Sequence, residues 1–104
     1  MARRFDIVEN PNRSGRALYP FLLVLQHDRV TSIHTVVVAP LVEIPREQTP
    51  NRLHPIIELE GRRYAVLTED LGSLPRNRLT HVVGSAAAHD YQITAALDML
   101  FTGI

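Results

Sequence analysis

The chain has 104 residues, of which 45% are hydrophobic and 21% are charged, a balance that indicates one globular domain over residues 1–104. Eleven basic residues balance eleven acidic residues, so the basic excess typical of nucleic-acid-binding proteins is missing and we expect no direct nucleic-acid binding. The absence of cysteine excludes disulfides, thiolate catalysis and cysteine-based zinc sites. Asp6 and Glu9 interrupt the basic start before a signal peptide could form, and the most apolar run is too short to span a bilayer. We therefore expect a cytoplasmic protein without membrane contact.

The first half of the chain predicts three short strands. Residues 5–8 alternate apolar and polar side chains, and residues 10–15 are turn formers throughout. The continuous apolar run at residues 19–26 has the length of a strand. Residues 34–39 are rich in β-branched side chains, which favours a third strand.

The second half predicts a loop, a hairpin and one further strand before the last segment. Charged and polar residues at 45–52 indicate an exposed loop, and residues 55–67 predict a hairpin that turns near Gly61. We expect residues 71–75 to form a short connection and residues 79–83 to form a strand. Short strands at regular spacing are typical of a small antiparallel barrel or sandwich, here mostly β with one C-terminal α-helix.

Residues 90–104 predict an amphipathic helix, with Ser85 as its expected N-cap. An apolar stripe at the helical period is formed by Ile93, Leu97, Leu100 and Ile104. A polar stripe elsewhere on the same cylinder is formed by Asp90, Thr94, Asp98 and Thr102. The polar stripe is either a solvated face or a surface kept for a partner. An apolar residue beyond the expected stop at Gly103 indicates that this end docks onto something.

The sequence contains no recognisable arrangement of catalytic or metal-binding residues. No two of the five histidines have the spacing of metal ligands. A glycine-rich phosphate loop, a nucleophile elbow and a carboxylate pair at defined spacing are also missing. We expect no metal, no cofactor and no catalytic residue, which favours a binding protein over an enzyme.

The segment at residues 90–104, which ends in Phe-Thr-Gly-Ile, resembles the CcdB family, the toxins of type II toxin–antitoxin modules. Other stretches fit the same family in the same order along nearly the whole chain, namely residues 5–8, 36–41, 53–59 and 64–75. The resemblance implies a homodimer with an SH3-like small β-barrel, the fold that CcdB shares with the MazF/Kid endoribonuclease toxins.

The resemblance also implies a function, because CcdB proteins poison DNA gyrase. Their paired C-terminal helices enter the opened gyrase A dimer and trap the enzyme with its DNA cleaved, and an antitoxin of the CcdA type removes them. The surface that the resemblance assigns to gyrase is formed by Asp90, Thr94, Asp98, Thr102, Gly103 and Ile104. We expect the dimer interface to include Met99, Leu100 and Ile104, since these side chains would otherwise expose contiguous apolar surface.

Two positions depart from the family pattern. The best-known version of the motif ends in Phe-Trp-Gly-Ile, with a Trp that stacks on a gyrase arginine, where this chain has Thr102. Asp98 stands where the family often has Asn. Two alternatives therefore stay open: a family member that is not toxic or has altered target recognition, and a MazF/Kid-like endoribonuclease. The endoribonuclease would need a general base and an arginine on the barrel surface. Arg62, Arg63, His27 and Asp70 could be recruited for this, although no motif indicates it.

Overall fold

The computed structural model describes residues 2–31 and 34–104, and Met1, Ser32 and Ile33 of the expected domain lie outside the described residues. Within the described ranges, one antiparallel sheet curls into a half-barrel and carries one α-helix. The elements in chain order are β1 (Asp6–Glu9), β2 (Phe21–Val24), β3 (Thr35–Glu43), β4 (Ile56–Leu59), β5 (Arg62–Val66), β6 (Gly72–Pro75), β7 (Val82–Ser85) and α1 (Asp90–Thr102). The predicted fold class, mostly β with a C-terminal helix in a small barrel fold, is confirmed.

The nine-residue strand β3 organises the sheet. The strand order is β4-β5-β3-β2-β1-β7, and β6 also pairs with β3. One edge of β3 pairs with β2, while the other edge pairs with β5 near Leu41 and with β6 near Val36. This single long strand therefore links β4 and β5 on one side of the sheet to β2, β1 and β7 on the other.

The predicted strands at residues 5–8, 19–26 and 34–39 and the hairpin at residues 55–67 are confirmed, with ends displaced by a few residues. Glu60 and Gly61 both have positive φ angles, 52° and 78°, as a two-residue hairpin turn of type I′ requires. The expected connection at residues 71–75 is wrong, because Gly72–Pro75 is strand β6. Its Gly and Pro give it little intrinsic strand preference, and the backbone pairing with β3 decides its conformation.

Two expectations near the end of the sheet also need correction. The strand expected at residues 79–83 begins only at Val82, because residues 76–78 form a 3₁₀ turn and Leu79 is buried behind it. Ser85 is not the N-cap of the helix. It is the last residue of β7, and its Oγ accepts the N–H of Ala87 at 3.1 Å in a turn that precedes α1.

Both faces of the sheet bury apolar side chains, which explains why β2 is apolar without alternation. Ile7 and Leu23 point into the cluster that α1 covers, whereas their neighbours Val8 and Leu22 point into a second cluster around Leu79. The two strands at the ends of the sheet order, β4 and β7, approach each other at Gly84, where a Cβ atom would lie 2.8 Å from Cδ1 of Leu59. A side chain at position 84 would therefore have to displace the end of the Leu59 side chain.

The helix packs on the sheet through one side. Ile93 and Ala96 are fully buried and Leu97 packs against the same cluster. The expected extension of this apolar stripe to Ile104 is wrong, because α1 ends at Thr102 and Ile104 is 80% exposed. Gly103 has a φ of 76°, and this left-handed turn carries the chain off the line of the helix.

The loop before β4 is exposed at residues 45–52, as predicted. It is nevertheless held at several points. The Arg63 guanidinium donates hydrogen bonds to the main-chain oxygens of Arg46 and Gln48. The hydroxyl of the fully buried Thr68 donates to the carbonyl of Leu53 at 2.7 Å.

A hydrogen bond between the His54 ring and the Glu69 carboxylate closes this loop onto the turn after β5. The Nε2 atom of His54 lies 2.7 Å from a carboxylate oxygen of Glu69. Burial raises the pKa of the Glu69 carboxyl, but hydrogen bonds from His54 and from the backbone, with the charge of His54, outweigh it and lower this pKa. The stabilisation is therefore present above the ordinary carboxyl pKa and is lost as the pH falls through the lowered value.

We predict that Glu69→Gln lowers the free energy of unfolding at pH 7 by about 0.5 kcal/mol, the lower end of the range for a side-chain hydrogen bond. At pH 3 the difference from the native chain should shrink, because the native carboxyl also becomes neutral. Urea unfolding at both pH values measures this. Glu58→Gln, on the exposed side of β4, is the matched control, and a Glu69→Gln deficit independent of pH would contradict the prediction.

Candidate partner-binding site

The side of α1 opposite Ile93 and Ala96 presents polar side chains to solvent. Asp90, Asp98 and Thr102 are exposed and Thr94 is half-buried. The hydroxyl of Thr94 donates to the Asp90 carboxylate at 2.9 Å, one helical turn away. The carboxylate of Asp98 forms no ion pair within the part of the chain that the structure describes.

The end of α1 is a defined turn held by main-chain and hydroxyl hydrogen bonds. The hydroxyl of Thr102 donates to the carbonyl of Asp98 at 2.7 Å and accepts the N–H of Ile104 at 3.3 Å. The N–H of Gly103 donates to the carbonyl of Met99 at 3.1 Å. Thr102 is therefore both the last helical residue and the hydrogen-bonding partner of the residue beyond the turn.

A hollow of about 400 Å³ lies beside this turn. It brings together four of the six residues assigned to gyrase binding, whereas Asp90 and Gly103 do not line it. Its lining residues are Arg52, Tyr91, Thr94, Ala95, Asp98, Thr102 and Ile104. Sequence reasoning missed Arg52, whose guanidinium donates to the main-chain oxygen of Ile104. No local signal could have found it, because the two residues are 52 positions apart.

A second hollow, of about 750 Å³, continues the first along α1 and shares Arg52, Tyr91 and Ala95 with it. Its other wall is the loop before β4, including Pro50 and Pro55. The two hollows form a groove between this loop and the exposed side of the helix, with Tyr91 exposed in its wall. The groove is open and mixed in polarity, which suits a macromolecular partner better than a small ligand.

An apolar groove of about 320 Å³ lies elsewhere on the helix, where α1 meets the sheet. Its lining residues are Leu25, Gln26, Val37, Leu71, Leu97 and Phe101. Phe101 is 69% exposed, more than Met99 at 38%. None of the expected interface residues Met99, Leu100 and Ile104 lines this groove, and Leu100 is half-buried. Phe101 is the exposed apolar side chain that the helical pattern did not single out.

The residues considered for RNA cleavage make separate local contacts. Arg62 pairs with Glu43 at 3.3 Å, and Arg63 binds carbonyls of the loop before β4. The Nδ1 atom of His27 accepts the N–H of Arg29 at 3.0 Å. Asp70 is exposed in the turn after β5. The contacts give His27, Arg62 and Arg63 structural roles.

Among residues 2–31 and 34–104, no three His, Asp or Glu side chains form a group that could hold a metal ion. Neither α1 nor any other helix of the described ranges has the length and hydropathy to cross a membrane.

A model of the CcdB protein family matches residues 4–103. This range includes every strand of the sheet and all of α1. Comparison with curated proteins gives no match. The family match covers nearly the whole chain and includes the helix end as far as Gly103, whereas Ile104 lies outside the matched range. The chain therefore belongs to the CcdB family, the gyrase-poisoning toxins of toxin–antitoxin modules.

Proposed function

We propose that this chain binds DNA gyrase A through α1, traps gyrase on cleaved DNA, and is neutralised by a CcdA-like antitoxin. The observation that carries the proposal is that burial of Ile93 and Ala96 fixes α1 to the sheet by one side alone. Asp98, Thr102 and Ile104 are left exposed together at the helix end. The gyrase-binding surface comprises Asp90, Thr94, Asp98, Thr102, Gly103 and Ile104.

The proposed action is binding, without a catalytic residue, metal or cofactor. A rigid helix on a sheet presents its side chains at fixed positions, so a partner surface can match them without ordering a loop first. The absence of a stacking Trp at position 102 removes a contact worth roughly 0.5–2 kcal/mol. This loss corresponds to an affinity reduction of at most about thirtyfold, which leaves gyrase as the target with weaker recognition.

We also propose a homodimer, in which Phe101 and Leu97 join Met99, Leu100 and Ile104 in the interface. Soluble monomers seldom leave contiguous apolar surface uncovered. Leu97 and Phe101 of α1 line an apolar groove of this kind together with residues of the sheet. The same groove on a second copy of this chain would supply a matching surface. Paired helices would then present two copies of the polar site side by side.

The first prediction of this proposal concerns the native chain. Incubation with gyrase, ATP and supercoiled plasmid, followed by detergent, should release linear plasmid, because the trapped enzyme holds both strands cleaved. A reaction without gyrase is the control and should leave the plasmid intact. A parallel incubation with RNA tests the alternative activity, and cleaved RNA with an intact plasmid would replace the proposal with an endoribonuclease. Expression in a bacterium tests toxicity, and normal growth during confirmed soluble expression would indicate a non-toxic member.

The second prediction concerns Asp98→Arg. A carboxylate in the C-terminal half of a helix interacts unfavourably with the helix dipole, so the charge reversal should leave the free energy of unfolding within about 0.5 kcal/mol. Growth inhibition and plasmid linearisation should be lost, because the reversed charge lies at the centre of the proposed contact.

Glu58→Arg is the matched control, since it reverses the charge of an exposed acid on β4. Its neighbour Ile57 points into the cluster that α1 covers, so Glu58 lies on the opposite face of the strand. It should remain as toxic as the native chain. Full toxicity of a folded Asp98→Arg chain would make the polar side of α1 a solvated face and remove the proposed site.

The third prediction concerns Phe101→Asp, which places a charge in the apolar groove. Light scattering at micromolar concentration should give twice the 11.7 kDa chain mass for the native chain and a mass shifted towards the monomer for the variant. Tyr91→Asp, an equal change on a different side of α1, should stay dimeric. A native mass of 11.7 kDa would overturn the dimer, and a fully dimeric Phe101→Asp chain would remove Phe101 from the interface.

A further inference from the structure

The turn at the end of α1 is held from the outside by a residue that belongs to another part of the fold. We propose that Arg52 is a positioning residue that holds residues 103–104 in the conformation that meets the target. This inference rests on the proposed function of the helix end. Arg52 donates from its guanidinium to the main-chain oxygen of Ile104 and lines the same hollow as Asp98 and Thr102.

Arg52 is itself placed by contacts on its neighbours in the loop. The Oδ1 atom of Asn51 accepts the N–H groups of Leu53 at 2.9 Å and His54 at 2.8 Å, which forms a tight turn around Arg52. The carbonyl of Leu53 is held by the buried Thr68 hydroxyl, and the ring of His54 is held by Glu69. The backbone of residue 52 is thus fixed to the core although its side chain lies in solvent.

The helix side of the contact is equally specific. Thr102 accepts the N–H of Ile104, and Arg52 binds the main-chain oxygen of the same residue. Both backbone groups of Ile104 are therefore engaged within the chain, while its side chain remains 80% exposed. This arrangement orders the backbone of the last residue and leaves the apolar side chain available to a partner.

Two features make arginine suitable at position 52. Its planar guanidinium carries several N–H donors in a fixed geometry, so it can hold one acceptor and keep donors for a partner. The positive charge also lies in the same hollow as the Asp98 carboxylate. Without Arg52, the main-chain oxygen of Ile104 would lose its partner within the chain. Binding would then have to restrict residue 104 further at the moment of contact, which lowers affinity.

The first test measures the order of the free chain and needs no gyrase. In ¹⁵N relaxation measurements, Arg52→Ala should lower the heteronuclear NOE of the Ile104 amide towards the value of a flexible end, with the rest of α1 unchanged. Arg62→Ala is the matched control, because it removes another exposed arginine, which pairs with Glu43. An Ile104 NOE equal in Arg52→Ala and native chains would overturn the proposal.

The second test measures affinity for isolated gyrase A by calorimetry. Ordering one flexible residue costs enough to weaken binding by about three- to tenfold, so Arg52→Ala should bind that much more weakly, with an unchanged melting temperature. Arg52→Lys should recover part of the loss. Equal affinity of Arg52→Ala and native chains, or an equal loss in Arg62→Ala, would overturn the proposal. A native chain that does not bind gyrase would remove the proposed function and the role of Arg52 in binding, while the NOE still decides whether Arg52 holds residue 104.

Discussion

The rest of the structure depends on the burial of Ile93 and Ala96 against the sheet, because this contact sets the orientation of α1. Full burial of a side chain such as Ile93 stabilises the fold by roughly 1.5–3 kcal/mol. The exposed hydrogen bonds at the helix end each contribute only about 1 kcal/mol or less. Apolar packing therefore decides where the helix lies, and the polar contacts at Thr102 and Arg52 adjust only its last turn.

The helix packs on a sheet whose arrangement depends on two features, the long strand β3 and the close contact at Gly84. β3 pairs with β2 on one edge and with β5 and β6 on the other, so it joins the two sides of the sheet. At the open ends of the half-barrel, the missing side chain of Gly84 lets Leu59 pack against β7. The face of the sheet that α1 covers carries the apolar cluster into which Ile93 packs.

Much of this fold could be predicted from the sequence, since β-branched runs and a two-residue turn leave clear local signals. The strand at Gly72–Pro75 could not, because its conformation comes from pairing with a strand more than 30 residues away. The prediction that the apolar stripe of the helix extends to Ile104 is wrong for a different reason. The helical period predicts which side chains share a face only as far as the helix extends. The left-handed turn at Gly103 ends α1 before Ile104. Four of the residues assigned to gyrase meet in one hollow, but Arg52 enters it from a distant loop that periodicity does not reach.

Thr102 stands where the best-known family motif has a Trp, and its hydrogen bonds connect this position with the rest of the site. A tryptophan at this position would offer a ring to a partner but no hydroxyl to bind the Asp98 carbonyl and the Ile104 N–H. Stacking of an aromatic ring on a guanidinium contributes roughly 0.5–2 kcal/mol, and ordering one side chain on binding costs about 0.5–1.5 kcal/mol. The stacking contribution and the ordering cost are therefore of about the same size. On the proposed function, a turn ordered in advance by Thr102 and Arg52 offsets much of the stacking that the chain has lost, so the substitution is compatible with the same target.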